Sequence, residues 1–86
     1  MKLQQLKYFV AVYEAKSITS GAIRAHATQS GLSMQIKDLE RQLKGALFHR
    51  TANGVTATEK GQRFYIHATN ILRNVYEAMR EMQSMD

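Results

Sequence analysis

Six side chains pose the chemical question in this sequence. Gln29, Ser30, Ser33, Met34, Lys37 and Arg41 lie largely off the apolar stripe of the segment Thr28 to Gly45, whose Leu32, Ile36, Leu39 and Leu43 recur in steps of four, three and four. That spacing predicts a helix with one face on a core. The other face is short, polar and basic. Glutamine can pair bidentately with adenine, serine can bond a base edge or a phosphate, and lysine and arginine attract the backbone, which is the chemistry of a reader in the DNA major groove. An ordinary solvated face would have a similar composition, so the rest of the chain must decide. The Thr28 hydroxyl is placed to cap the first turn. Free N–H groups at that end favour an anion. Gly45 is expected to close the helix in a left-handed conformation.

Composition limits what can surround this helix. Eighty-six residues fit one small domain, with or without an appendage. There is no cysteine, so neither a disulfide nor a thiolate metal site can staple it, and a reducing cytoplasm suits it. No apolar run is long enough to span a bilayer, and the absence of proline favours helices. The charge is unevenly placed. Residues 1–57 hold eight Lys or Arg against three acids, whereas residues 58–86 hold four against four. A basic first part and a balanced last part predict two roles: a polyanion-binding module over 1–57 and a different task for 58–86.

The elements before the candidate reader complete a motif. Leu3, Leu6, Phe9, Val10 and Tyr13 predict helix one over 3–15, with Gln4, Gln5, Lys7 and Glu14 solvated. Ser17 is a good cap for a short second helix over about 18–26, its Ile18, Ala22, Ile23 and Ala25 facing the core. Gly21 costs such a helix about 0.5–1 kcal/mol relative to alanine, and close approach of a neighbouring helix is a reason to place it there. A short helix, a tight connection and a second amphipathic helix is the helix-turn-helix pattern, in which the second helix enters the groove N-terminus first.

After the reader come Ala46–Arg50, Thr51-Ala52-Asn53-Gly54 and Val55–Ala57. Asn-Gly between two β-prone runs predicts a hairpin, both residues tolerating positive φ. Leu47, Phe48 and Val55 suit the core, while Arg50 and the tip residue Asn53 are candidates for phosphate or minor-groove contact. The last segment, capped by Thr58 and led by Glu59, predicts a helix of roughly 40 Å. Phe64, Ala68, Ile71, Val75, Ala78 and Met82 form a heptad-like seam, widened by Leu72, Met79 and Met85. So long a seam exceeds what an 86-residue core covers, and a second copy of the chain is the expected cover. The competing account packs Phe64, Tyr65 and Ala68 on the module and leaves the rest to fray.

In register and without a gap, the chain resembles the N-terminal region of the LysR-type transcriptional regulators. The resemblance rests on Leu6 and Phe9, Ser17-Ile18-Thr19, His26-Ala27-Thr28-Gln29, Leu32-Ser33, Gln35-Ile36, Leu39-Glu40 and Leu43. It continues through Leu47-Phe48, Arg50, Gly54-Val55, Thr58-Glu59 and Gly61. It implies a mainly α fold, a winged helix-turn-helix followed by a long linker helix. It further implies antiparallel pairing of linker helices into a homodimer, and binding of double-stranded DNA at an interrupted palindrome. By position, Thr28, Gln29, Ser30, Ser33, Met34 and Lys37 would face the groove, with Asn53 on the wing. The family continues into a domain that senses a small molecule, so the chain is expected to be the DNA-binding part alone.

The chain departs from the family pattern in several places. Ser30-Gly31 stands where the family usually has Pro-Ala, which removes a pre-set helix start. Met34 replaces a frequent arginine and leaves an apolar contact, such as to a thymine methyl. Ala25, Ala27 and Ala57 replace larger residues, and Gly45 falls one place late. A less stable or locally repacked module is therefore expected, since truncating a buried leucine costs about 2–5 kcal/mol.

Other chemistries are poorly served. His26, His49 and His67 have no metal-ligand spacing, Ser17, Ser30 and Ser33 lack a glycine-framed elbow, and the four tyrosines are dispersed. Neither a catalytic site nor a metal or other cofactor is expected. Three functions compete: a dimeric reader of duplex DNA, a protein-interaction or dimerisation module whose basic half is incidental, and a small enzyme. The helix-turn-helix, wing and localised charge favour the first.

Overall fold

The structure is a computed structural model that describes residues 1–86. Helices α1 (Leu3–Ala15), α2 (Ile18–Arg24) and α3 (Gln29–Gln42) are followed by strands β1 (Phe48–Thr51) and β2 (Gly54–Ala57) and helix α4 (Glu59–Ser84). The strands form an antiparallel hairpin, with Phe48 opposite Ala57 and Thr51 opposite Gly54. This is the expected winged helix-turn-helix with its long linker helix.

Helix α1 is the hub of two apolar clusters. On one side Leu6 and Phe9 join Leu39, Leu47, Ala68 and Leu72. The Phe9 ring meets Phe64 edge-on at 5.1 Å and Phe48 at 5.2 Å. On the other side Val12 joins Ala22, Leu32, Ile36 and Val55. The stripe of α3 is thus divided: Leu32 and Ile36 pack toward α2 and the wing, and Leu39 toward α4. Gly21 is required by contact, as a Cβ there would lie 2.7 Å from Val12 Cγ2 and 2.9 Å from Val12 Cα.

Several residues lie where periodicity did not put them. Leu3 and Ile23, expected in the core, are exposed, while Val12 is fully buried. Helix α2 is shorter than expected because it stops at Arg24. Ala25 and Ala27 sit half-buried at the rim of the second cluster, so their small size truncates less packing than a fully buried site would. Gln5, expected in solvent, is 1% exposed. Its side chain donates to Asp38 Oδ2 at 2.8 Å and Gln35 Oε1 at 3.1 Å and accepts from the Lys2 backbone N–H at 3.0 Å. One face of α1 therefore carries a polar anchor for α3.

The ends of α2 and α3 also correct an expectation. The left-handed residue after α3 is Lys44, at φ 60°, not Gly45. Lys44 N–H donates to Arg41 O and Gly45 N–H to Glu40 O, which is a Schellman closure with lysine at the left-handed position. His26, at φ 54°, closes α2 in the same way, with His26 N–H on Ile23 O and Ala27 N–H on Ala22 O. Left-handed backbone costs a residue with a Cβ about 1–2 kcal/mol. Lys44→Gly is therefore expected to stabilise the domain by about 1 kcal/mol, read as a rise in thermal midpoint of roughly 4–8 °C. An unchanged or lower midpoint would contradict this account of the closure.

Asp38 supplies a pH dependence. Hydrogen bonds from Gln5, then Arg41, then Gln42 hold its carboxyl below its ordinary value of 3.8. These bonds favour the ionised form in the folded chain. Their contribution is present above the unfolded value and is lost as pH falls through the lower folded one. Urea midpoints are expected to fall across that acid window in the wild type, and to fall less in Asp38→Asn.

Candidate nucleic-acid interface

Helix α3 starts as the sequence predicts. Thr28 is extended at φ −76°, ψ 151°, and its Oγ1 accepts from Gly31 N–H at 3.1 Å. Gln29 and Ser30 in the first turn are exposed. Ser33, one turn on, is half-buried, and Met34 and Lys37 are exposed. No side chain of the fold covers the polar face at Gln29, Ser30, Met34 and Lys37, so it is open to a ligand.

The tight connection between α2 and α3 brings their starts together beside the wing. An open groove runs between Ser17 and Thr19 of the α2 start, Gln29, Ser30 and Ser33 of α3, and Arg50 of β1. Four of the expected contact residues, Gln29, Ser30, Ser33 and Arg50, therefore share one surface. Lys37 joins Ser33 and Arg50 around a smaller adjoining recess. Thr28, Met34, Arg41 and Asn53 line neither hollow. Asn53 is exposed at the hairpin tip. Arg41 is not a free cation, because its guanidinium donates to Asp38 Oδ1 at 3.0 Å. Ser17 and Thr19 were not expected in the site. Ser17 was legible as a cap, and its Oγ does accept from Ser20 N–H at 3.1 Å, but only the turn geometry places the α2 start in the groove.

The wing and both ends of α3 are fixed by specific bonds. Val55 N–H donates to Lys16 O at 3.1 Å, joining the hairpin to the α1–α2 turn. Gly54 sits at φ 138°, and a Cβ there would lie 2.4 Å from Lys16 O. Asn53 keeps negative φ, so glycine alone carries the unusual backbone of this hairpin. Glu40 Oε2 accepts from Leu47 N–H at 2.7 Å, tying α3 to the chain entering β1. Lys60 Nζ donates to Leu43 O at 2.7 Å and to Lys44 O at 3.2 Å. A cation thus caps the negative end of α3. Gly45 makes room for it, as a Cβ there would lie 2.8 Å from Lys60 Nζ.

The expected pairing seam on α4 divides in two. Ala68 and Leu72 are buried in this chain's own core, with Phe64 packed against them. Ala68 and Leu72 are therefore core residues that α1 covers, whereas Phe64 keeps part of its surface exposed. Ile71 and Val75 are half-exposed. Met79 is 52% exposed and Met82 is 58% exposed, while the helix remains regular to Ser84. No helix is long and apolar enough to cross a membrane.

Comparison with known proteins agrees with this geometry. The family described as bacterial regulatory helix-turn-helix protein, lysR family, matches residues 3–62. The HTH-type transcriptional regulator TfdT of Cupriavidus pinatubonensis is 43% identical over 84 residues, covering 98% of this chain and 37% of that protein. The nitrogen assimilation regulatory protein nac of Klebsiella aerogenes is 42% identical over 78 residues, covering 91% and 26%. This chain thus spans about a third or less of the regulators it matches. Among solved structures, the DNA-binding domain of CbnR in complex with DNA superposes with a TM-score of 0.91 at 32% identity, covering 98% of this chain and 97% of that one. The BenM DNA-binding domain in complex with benA site 1 DNA gives 0.90 at 37% identity, covering 96% of each. With its helix-turn-helix, wing and long fourth helix in these positions, the chain belongs to the LysR family of bacterial regulatory helix-turn-helix proteins.

Proposed function

We propose that this chain binds double-stranded DNA sequence-specifically as a homodimer and is the DNA-binding part of a LysR-type transcription regulator. The observation that carries the reading is the convergence of Gln29, Ser30, Ser33 and Arg50 on one open groove at the uncovered N-terminus of α3. Base-bonding amides and hydroxyls, a phosphate-bonding cation and free helix N–H groups meet there. Residues 1–57 supply this surface. Residues 58–86 supply the pairing helix, through Ile71, Val75, Met79 and Met82. The exposed methionines favour a partner helix as their cover, since such a patch is uncommon on a monomer. Two copies related by a two-fold axis would read an interrupted palindrome. We assign the chain to the cytoplasm, where such a target lies, and give it no reaction and no cofactor. A small-molecule effector would act through a further domain.

A salt titration tests the reading. The logarithm of affinity for duplex DNA is expected to fall linearly with the logarithm of salt concentration. Lys37→Ala is expected to weaken binding to all sequences alike and to reduce the slope by about one. Negligible binding at low salt would contradict the proposal and favour a protein-interaction module.

A further inference from the structure

Gln5 is the one polar residue in the buried core. Its four hydrogen-bond partners are specific. Its Nε2 donates to Gln35 Oε1 at 3.1 Å and Asp38 Oδ2 at 2.8 Å, and its Oε1 accepts from Lys2 N–H at 3.0 Å and Gln42 Nε2 at 3.5 Å. Gln42 Nε2 also donates to Asp38 Oδ2 at 2.9 Å. Gln35, Asp38 and Gln42 recur in steps of three and four, so they form their own stripe on α3. At 3.6 residues per turn this stripe lies on the side of the helix facing away from Ser33 and Lys37.

The apolar anchors of α3 are Leu32, Ile36 and Leu39. Such contacts are non-directional, so a small roll or slide of the helix costs them little. Hydrogen bonds to a fixed, buried amide are directional. They constrain both the rotation of α3 about its axis and its height along α1. Asp38 also holds the Arg41 guanidinium at 3.0 Å, which extends the constraint from α1 to a cation beside the reading face.

On the DNA-binding reading above, we propose that Gln5 is a positioning residue for base recognition. Acting through Gln35, Asp38 and Gln42, it sets the roll and register at which α3 presents Gln29 and Ser33. It touches no DNA itself. Its bonds hold the helix to α1 rather than to the phosphate backbone, so discrimination between sequences depends on it while bulk DNA affinity does not.

The test compares wild type, Gln5→Met, Asp38→Ala and the double variant, each binding a selected duplex and a scrambled one. Gln5→Met keeps the volume and loses every side-chain bond. The partly exposed Asp38 carboxylate can then hydrate. The expected result is a roughly tenfold fall in the selected-to-scrambled affinity ratio, about the loss of one well-made base contact, with scrambled affinity and salt slope unchanged. Asp38→Ala is expected to lower the ratio similarly while raising scrambled affinity, because Arg41 is released. The double variant should lose no more of the ratio than the larger single loss, since both act through one link. Should Gln5→Met fail to fold, Gln35→Ala, which removes a Gln5 partner and leaves the Asp38–Arg41 pair intact, decides the role by the same fall in the ratio or its absence. A wild type that selects and variants that select equally well would overturn the positioning role alone. A wild type that selects no sequence would overturn the DNA reading and this role together.

Discussion

Replacing Gly61 by alanine is expected to lower the thermal midpoint by roughly 10–20 °C, the size expected of overpacking near the top of its usual range of about 1–3 kcal/mol. The added Cβ would lie 2.1 Å from Leu47 O and 3.1 Å from Leu47 C. Neither is the end of a flexible side chain, and both are held. Thr58 N–H donates to the same Leu47 O at 3.0 Å, Thr58 Oγ1 donates to Ala46 O at 2.7 Å, and Gly61 N–H donates to Thr58 Oγ1 at 2.9 Å. The start of α4 is thus bonded to the segment leading into β1, which it would have to leave. Moving it outward would draw Phe64 and Ala68 away from Phe9. Circular-dichroism melts check this. Glycine in an unconstrained helix interior costs about 0.5–1 kcal/mol relative to alanine, so the opposite sign, a stabilised Gly61→Ala variant, would show that the close approach is not rigid.

The second large effect is on recognition. Gln29→Ala and Ser33→Ala are each expected to cut discrimination between the preferred duplex and bulk DNA by about 1–3 kcal/mol, roughly 5- to 150-fold. Gln29 is exposed and makes no side-chain hydrogen bond that holds the fold, so its variant should melt like the wild type. That separates loss of recognition from loss of structure. Arg41→Ala is expected to weaken binding to all sequences, and by less than its formal charge implies, because Asp38 already neutralises part of it. Competition titrations against scrambled duplex measure both. Full discrimination in Gln29→Ala would mean that the reading face lies elsewhere on α3.

Much of this architecture was legible because it is periodic. The stripe Leu32, Ile36, Leu39 and the caps Ser17, Thr28 and Thr58 are local signals, and the structure places each accordingly. What was not legible depends on partners distant in sequence. Gln5 has the same residue type as Gln4, and although it falls four before Phe9, only the arrival of Gln35, Asp38 and Gln42 gives its amide buried partners. Gly45 has the usual signature of a helix stop, yet its neighbour Lys44 takes the left-handed backbone while Gly45 accommodates Lys60. The α4 seam was legible as apolar, and one of its two readings already packed Phe64, Tyr65 and Ala68 on the module; that Leu72 joins them while the helix stays regular to Ser84 was not, because α1 decides where the domain's own core ends.

For the candidate site, residue types marked Gln29, Ser30 and Ser33, and the wing signal marked Arg50. Their sharing one groove with Ser17 and Thr19 followed only from the folded turn. The seam's spacing favoured a second copy of the chain over a frayed end, and family resemblance added the expectation that the two linker helices pair antiparallel.

The most direct measurement of the central claim is fluorescence anisotropy against a randomised duplex pool at two salt concentrations, with the bound fraction recovered and sequenced. The account predicts salt-sensitive binding and enrichment of a motif repeated about a two-fold axis. Salt-sensitive binding without any enriched motif, or no binding at the lower salt, would contradict a dimeric, sequence-specific reader of duplex DNA.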